Sequence, residues 1–101
     1  MKKILLCCAA GMSTSLLVNK MKAEAEKRGV EAEIWAEPLD KAKEEFAKAD
    51  VVLLGPQVKY ALPEAKKIAE ENNINIDVIN MVDYGMINGV KVLDQALNLI
   101  K

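Results

Sequence analysis

Residues 4–18 read ILLCCAAGMSTSLLV. The apolar run Ile4-Leu5-Leu6 suits a buried strand, and Leu17, Met21 and Ala25 then recur at helical spacing up to a stop at Gly29. A strand over Lys3–Cys7 therefore passes into a helix over Thr14–Arg28 through a turn that carries Cys8, Gly11 and the hydroxyls of Ser13, Thr14 and Ser15. That strand-to-helix step sets the pattern for the rest of the chain.

Val30–Ala36 alternates Ala32 and Ile34 with Glu31 and Glu33, as a strand near a sheet edge does, and Trp35 falls on the face opposite Ile34. Pro38 opens a short helix over Leu39–Ala47 that turns Ala42 and Phe46 inward. Val51-Val52-Leu53-Leu54 is unbroken and apolar, the signature of a central parallel strand, and it halts at Gly55-Pro56. A helix over Ala61–Glu71 holds Pro63 in its first turn and faces Ile68 inward; Ile74–Ile79 is the fourth strand. Val90, Leu93, Ala96, Leu97 and Ile100 mark one face of a C-terminal amphipathic helix. Strands joined by helical crossovers return in one direction, which predicts an α/β three-layer sandwich: a four-stranded parallel sheet with helices on both faces. Functional groups in such sheets gather beyond the carboxyl ends of the strands, here the loops Cys8–Ser13, Gly55–Tyr60 and Asn80–Gly89.

The composition narrows the function. With 101 residues the chain reads as one domain, 1–101, and 51% hydrophobic with 29% charged residues is ordinary for a globular protein. A formal charge of −1 argues against a nucleic-acid surface or a polybasic membrane anchor. The apolar stretch at the start is too short to span a bilayer and reads as a strand of a cytoplasmic protein, not a signal peptide. The two cysteines are adjacent and build no disulfide framework. Histidine is absent, which removes a His-ligated metal site, a Cys-His dyad and a phosphohistidine from what the chain does alone.

A helix N-terminus offers unpaired N–H groups and partial positive charge to an anion. Cys8 at that turn gains stabilisation of negative charge on sulfur, Gly11 lets the backbone curl close to a phosphate, and Ala9 and Ala10 keep the cradle open. Met12 completes the loop, and Ser13, Thr14 and Ser15 supply hydroxyl donors. The same residues also read as a buried core cysteine and a capped helix, and residue chemistry alone leaves both readings open. Cys7, one step back along the strand, points to the other face and is packed.

Cys8-Ala9-Ala10-Gly11-Met12-Ser13-Thr14-Ser15-Leu16-Leu17-Val18, followed by Asp50-Val51-Val52-Leu53-Leu54-Gly55-Pro56-Gln57, resembles the enzyme IIB component of the sugar phosphotransferase system, lactose/cellobiose (chitobiose) type. The resemblance implies a cytoplasmic phosphotransferase with a fold like that of low-molecular-weight tyrosine phosphatases and no metal or cofactor. In it Cys8 accepts a phosphoryl group from a phosphohistidine of IIA and passes it to a sugar, a β-disaccharide such as cellobiose, chitobiose or lactose, held by the membrane permease IIC. Ala9 to Ser15 would form the phosphate-binding loop of a monomer that neither enters the membrane nor binds nucleic acid.

The runner-up is a phosphatase of the Cys-x5-Arg-Ser/Thr kind. Thr14 stands where its Arg would be and the chain has no Asp-Pro acid, so the missing fork and acid favour transfer over hydrolysis. Pro56, Gln57 and Tyr84 flank the same end of the sheet: the Gln57 amide is placed to approach the cradle, and packing is the expected role of Tyr84. The mixed-sign runs around Lys22 to Lys27 and Lys41 to Glu45 read as solvated helix faces.

Overall fold

The computed structural model describes residues 1–9 and 12–100, with the backbone alone for Met12 and Ser13. Strand β1 (Lys2–Cys8) leads into helix α1 (Met12–Lys27), strand β2 (Ala32–Pro38) and helix α2 (Leu39–Glu45), which ends in a 3-10 turn, Phe46–Lys48. Strand β3 (Val51–Leu54), a 3-10 turn (Pro56–Ala61), helix α3 (Leu62–Glu71) and strand β4 (Asn75–Val78) follow. A short helix α4 (Met81–Gly85) and helix α5 (Gly89–Leu99) complete the fold.

The four strands are parallel and lie in the order β2-β1-β3-β4, with Leu6 opposite Ala36 on one side and Leu53 on the other. Right-handed crossovers then dictate the layers, because the chain moves one way from β1 to β2 and the other way from β2 through β3 to β4. Ile4, Leu6, Ile34, Val51 and Leu53 meet Leu17 and Met21 of α1 and Val92, Leu93 and Ala96 of α5 on one face. Leu5, Cys7, Val52 and Leu54 meet Ala42 and Phe46 at α2 and Ala65 and Ala69 of α3 on the other. The expected three-layer sandwich is present. The period-2 alternation of β1 feeds both cores at once, and Trp35 packs on the face opposite Ile34, as its parity requires.

Both strands that follow long helices start later than the hydrophobic pattern suggests, for one reason. Gly29 (φ +71°) ends α1 in a Schellman turn in which Gly29 N–H donates to Glu26 O at 3.1 Å and Val30 N–H to Ala25 O at 2.8 Å. Asn73 (φ 58°) ends α3 in the same way, with Ile74 N–H donating to Ala69 O at 3.0 Å. Val30 and Ile74 therefore give their N–H groups to helix ends, and β2 and β4 begin at Ala32 and Asn75. Pro38 stands directly before α2 as expected, capping its start with φ −58° and ψ 150°, and is also the last residue of β2. Helix α1 begins two residues earlier than Thr14, and α4 interrupts a segment read as loop.

On α5 the inner face is Gly89, Val92, Leu93 and Ala96, spaced i, i+3, i+4, i+7, so Val90 is turned to solvent and not inward as its apolar character suggests. Gly89 is where α5 presses on α1: a Cβ there would lie 2.7 Å from Lys20 C and 2.9 Å from Met21 N. Backbone cannot yield as a flexible side chain can. Gly89→Ala is expected to lower stability by about 1–3 kcal/mol through overpacking. Gly85→Ala, whose Cβ would meet nothing within 4 Å, is expected to leave it nearly unchanged; paired urea denaturation curves check this.

Candidate functional site at the carboxyl ends of the strands

The strand order places a topological switch between β1 and β3, where successive connections leave in opposite directions and open a crevice at the carboxyl ends. Cys8, the last residue of β1, stands at that crevice. It continues the parity of Ile4 and Leu6 and so faces the α1 side of the sheet. The sulfur is fully buried, and its S–H donates to the backbone carbonyl oxygen of Glu37 at 3.7 Å. Ala9 follows as an exposed bend, and α1 starts at Met12. Ala10 and Gly11, expected in the cradle, lie outside the described residues, as do the side chains of Met12 and Ser13.

The first turn of α1 holds no acidic residue, so no carboxylate competes with an outside anion for its N–H groups. Ser15 is exposed on that helix, while Thr14 is 1% exposed, the buried polar side chain among the described residues. Thr14 Oγ1 lies 2.8 Å from the Tyr84 hydroxyl oxygen. Gln57 Nε2 donates to that same oxygen at 3.0 Å. Three segments that follow three different strands thus meet at one phenol. Pro56 begins the 3-10 turn that carries Gln57 to this point.

Tyr84 is brought in by α4, which the sequence reading missed. Asn80 caps that helix: its Oδ1 accepts from Val82 N–H at 2.9 Å and Asp83 N–H at 3.2 Å. An Asn followed three residues later by an Asp is a helix-start signal, present here in Asn80 and Asp83 but short of the hydrophobic periodicity that reveals longer helices. The Tyr84 ring packs against the α1-side core, as expected, and its hydroxyl makes the bridge that packing alone does not require. Gly55 leaves the room for this arrangement, since a Cβ there would fall 2.6 Å from Gln57 Oε1 and 3.6 Å from Tyr84 Cε2.

Cys7 has a different fate. Its side chain lies in the α2/α3 core, and burial, with the adjacent Cys8 sulfur adding to it, pushes its thiol from 9.0 up to about 12. The two neighbouring thiols are thereby separated onto opposite faces of the sheet. No group of three or more Cys, Asp or Glu side chains among the described residues is arranged to hold a metal ion.

The four-stranded parallel sheet in the order β2-β1-β3-β4, with helices on both faces, is the tyrosine-phosphatase-like fold of the IIB domains among its structural neighbours. Residues 3–95 match the family model of the PTS system lactose/cellobiose-specific IIB subunit. The chain is 56% identical over 100 residues to the PTS system oligo-beta-mannoside-specific EIIB component of Bacillus subtilis strain 168, covering 99% of this chain and 97% of that protein. Among solved structures, the cellobiose-specific phosphotransferase IIB component of Borrelia burgdorferi is similar with a TM-score of 0.81 and 39% identity, over 98% of this chain and 91% of that one. The lactose-specific IIB domain from Streptococcus pneumoniae shares the fold, with a TM-score of 0.88 at 22% identity over 99% and 98% of the two chains. The chain belongs to the lactose/cellobiose-specific IIB subunits of the sugar phosphotransferase system. Such subunits are phosphotransferase components of sugar transport and work with IIA and IIC partners. Among the described residues no helix is long and apolar enough to cross a membrane.

The Cys7 shift has a sign that alkaline titration reads. The native state keeps this proton up to about 12, whereas the unfolded chain loses it near 9.0. The native state binds the proton more tightly, so this contribution is complete below the lower value and is lost as pH rises toward the upper one, by at most about 1.4 kcal/mol per pH unit. Stability measured across that window is expected to fall less steeply in Cys7→Val than in the wild type. Parallel slopes would contradict the assignment.

Proposed function

We propose that Cys8 is the phosphoryl acceptor of this IIB subunit, taking the group from a phosphohistidine of IIA and giving it to a sugar bound by the permease IIC. The observation that supports this most is the position of Cys8 at the end of β1, against the switch-point crevice and immediately before the N-terminus of α1. Residues 9–15 are the phosphate-binding stretch: Ala9, Ala10 and Gly11 carry no side chain larger than a methyl group, Met12 to Ser15 present helix-start N–H groups, and Thr14 adds a hydroxyl.

In the first step the Cys8 sulfur attacks phosphorus as the phosphorus–nitrogen bond of the donor breaks. The electron pair of that bond returns to the imidazole nitrogen, which takes up the proton the thiol gives away. In the second step a sugar hydroxyl oxygen attacks the same phosphorus, the sulfur–phosphorus bond breaks, and the hydroxyl proton restores the thiol. Phosphoryl transfer depends on in-line placement and on dispersing charge over the oxygens, work that helix-start N–H groups can do. The S–H bond to the Glu37 carbonyl holds the resting sulfur inward, so charging requires the thiol to turn from that carbonyl toward the crevice.

Thr14 in place of a phosphatase arginine supports transfer. A guanidinium fork would hold the phosphoryl oxygens bidentately through hydrolysis, whereas a single hydroxyl with N–H donors holds the group less tightly and leaves it for the next acceptor. The chain works as a cytoplasmic monomer, and its sugar is a β-linked disaccharide or oligosaccharide. The specificities of relatives for oligo-beta-mannosides and for cellobiose support that class.

Incubation with phosphorylated IIA is expected to add about 80 Da, one phosphoryl group, to the wild type and to Cys7→Ser, and nothing to Cys8→Ser. Charged protein alone is expected to decay slowly and to discharge much faster with IIC and sugar. Phosphorylation that survives Cys8→Ser would overturn the acceptor. Rapid Cys8-dependent hydrolysis of an aryl phosphate by the wild type would establish the phosphatase reading instead.

A further inference from the structure

The hydrogens at the Tyr84 junction can be counted. A phenol has one hydrogen to give, and an amide nitrogen only donates. Gln57 Nε2 donates to the Tyr84 oxygen at 3.0 Å, so that oxygen is already an acceptor and its own hydrogen remains for a second partner. Thr14 Oγ1 at 2.8 Å is that partner. A phenol is a stronger donor than acceptor because its lone pair is partly delocalised into the ring, so the contact is best served with Tyr84 donating. The Thr14 oxygen is then satisfied as acceptor, and among the described residues its own hydrogen has no acceptor.

Thr14 is 1% exposed, so bulk water does not compete for that hydrogen. It sits in the first turn of α1, where a phosphoryl group on Cys8 would meet the helix N-terminus. We propose that Tyr84 is a positioning residue for phosphoryl transfer: the donor chain Gln57 Nε2–H to Tyr84 O–H to Thr14 Oγ1–H commits the Thr14 hydrogen to the phosphoryl oxygens. Tyr84 acts through Thr14 and does not itself touch the phosphoryl group. This rests on Cys8 being the acceptor.

The surroundings fit a chain built to keep its direction. Successive hydrogen bonds polarise one another, so a donor at the Gln57 end strengthens the donor at the Thr14 end. Gly55 spares the space in which the Gln57 amide and the Tyr84 ring sit together. The Asn80 cap anchors α4, and Met81 and Val82 on that helix and Met86 just beyond it are exposed, so the cap and the Tyr84 ring bear much of its placement.

Single-turnover charging from phospho-IIA, followed by intact mass, tests the proposal on Tyr84→Phe, Thr14→Val, their double variant and Thr14→Ser. Thr14→Val is expected to slow charging by about 10- to 100-fold, the range for a hydrogen bond to a charged group, and Tyr84→Phe, which loses a bond between two neutral groups, by about 2- to 10-fold. The double variant should be no slower than the slower single variant, because the two residues act in series. Thr14→Ser, which keeps the hydroxyl, should charge within about threefold of the wild type and lose its rate again when Tyr84→Phe is added. Multiplicative losses in the double variant, or a Tyr84→Phe that charges like the wild type, would overturn the positioning role alone. A wild type that never charges would overturn the acceptor reading and this proposal with it.

Discussion

Strand β1 runs between two parallel neighbours and is covered by helices on both faces, and the rest of the molecule is arranged around that placement. Ile4 and Leu6 supply one core and Leu5 and Cys7 the other, so a slip of one residue would exchange every side chain between the two. The register also fixes the chemistry. Cys8 lies one residue past the end of the pairing between β1 and β3, which stops at Cys7 opposite Leu54. Its sulfur therefore reaches the carboxyl end of the sheet just as the flanking connections diverge.

The same register separates two chemically identical side chains. Cys7 is enclosed among Phe46, Val52, Leu54 and Val58, where ionisation is costly, and it acts as a small apolar residue. Cys8 turns to the α1 side and donates a hydrogen bond to a backbone carbonyl, a partner from which a thiol departs without breaking a salt bridge.

Much of this was readable in the residues. The apolar runs at Ile4 and Val51 and the helical spacing after Leu17 define parallel crossover units, and the turn after Cys8 has the composition of an anion cradle. Strand starts were displaced because Val30 and Ile74 serve helix ends before they serve the sheet, a competition for single N–H groups that hydrophobic pattern does not register. Helix α4 escaped because five residues are too few for periodicity, and its outer residues Met81 and Val82 are apolar yet exposed. The Thr14–Tyr84 bridge spans 70 positions. Gln57 and Tyr84 could be assigned to neighbouring loops from sequence, but only the folded sheet brings both to the Thr14 hydroxyl.

The central claim is that the phosphoryl group resides on the Cys8 sulfur. Phosphorus–proton scalar coupling in the chain charged by phospho-IIA tests it most directly, because such coupling passes only through bonds. The account predicts that the single phosphorus resonance couples to the β-protons of Cys8 and that the Cys7 β-protons show none. Coupling to any other residue, or a bound phosphorus with no coupling to Cys8, would contradict it.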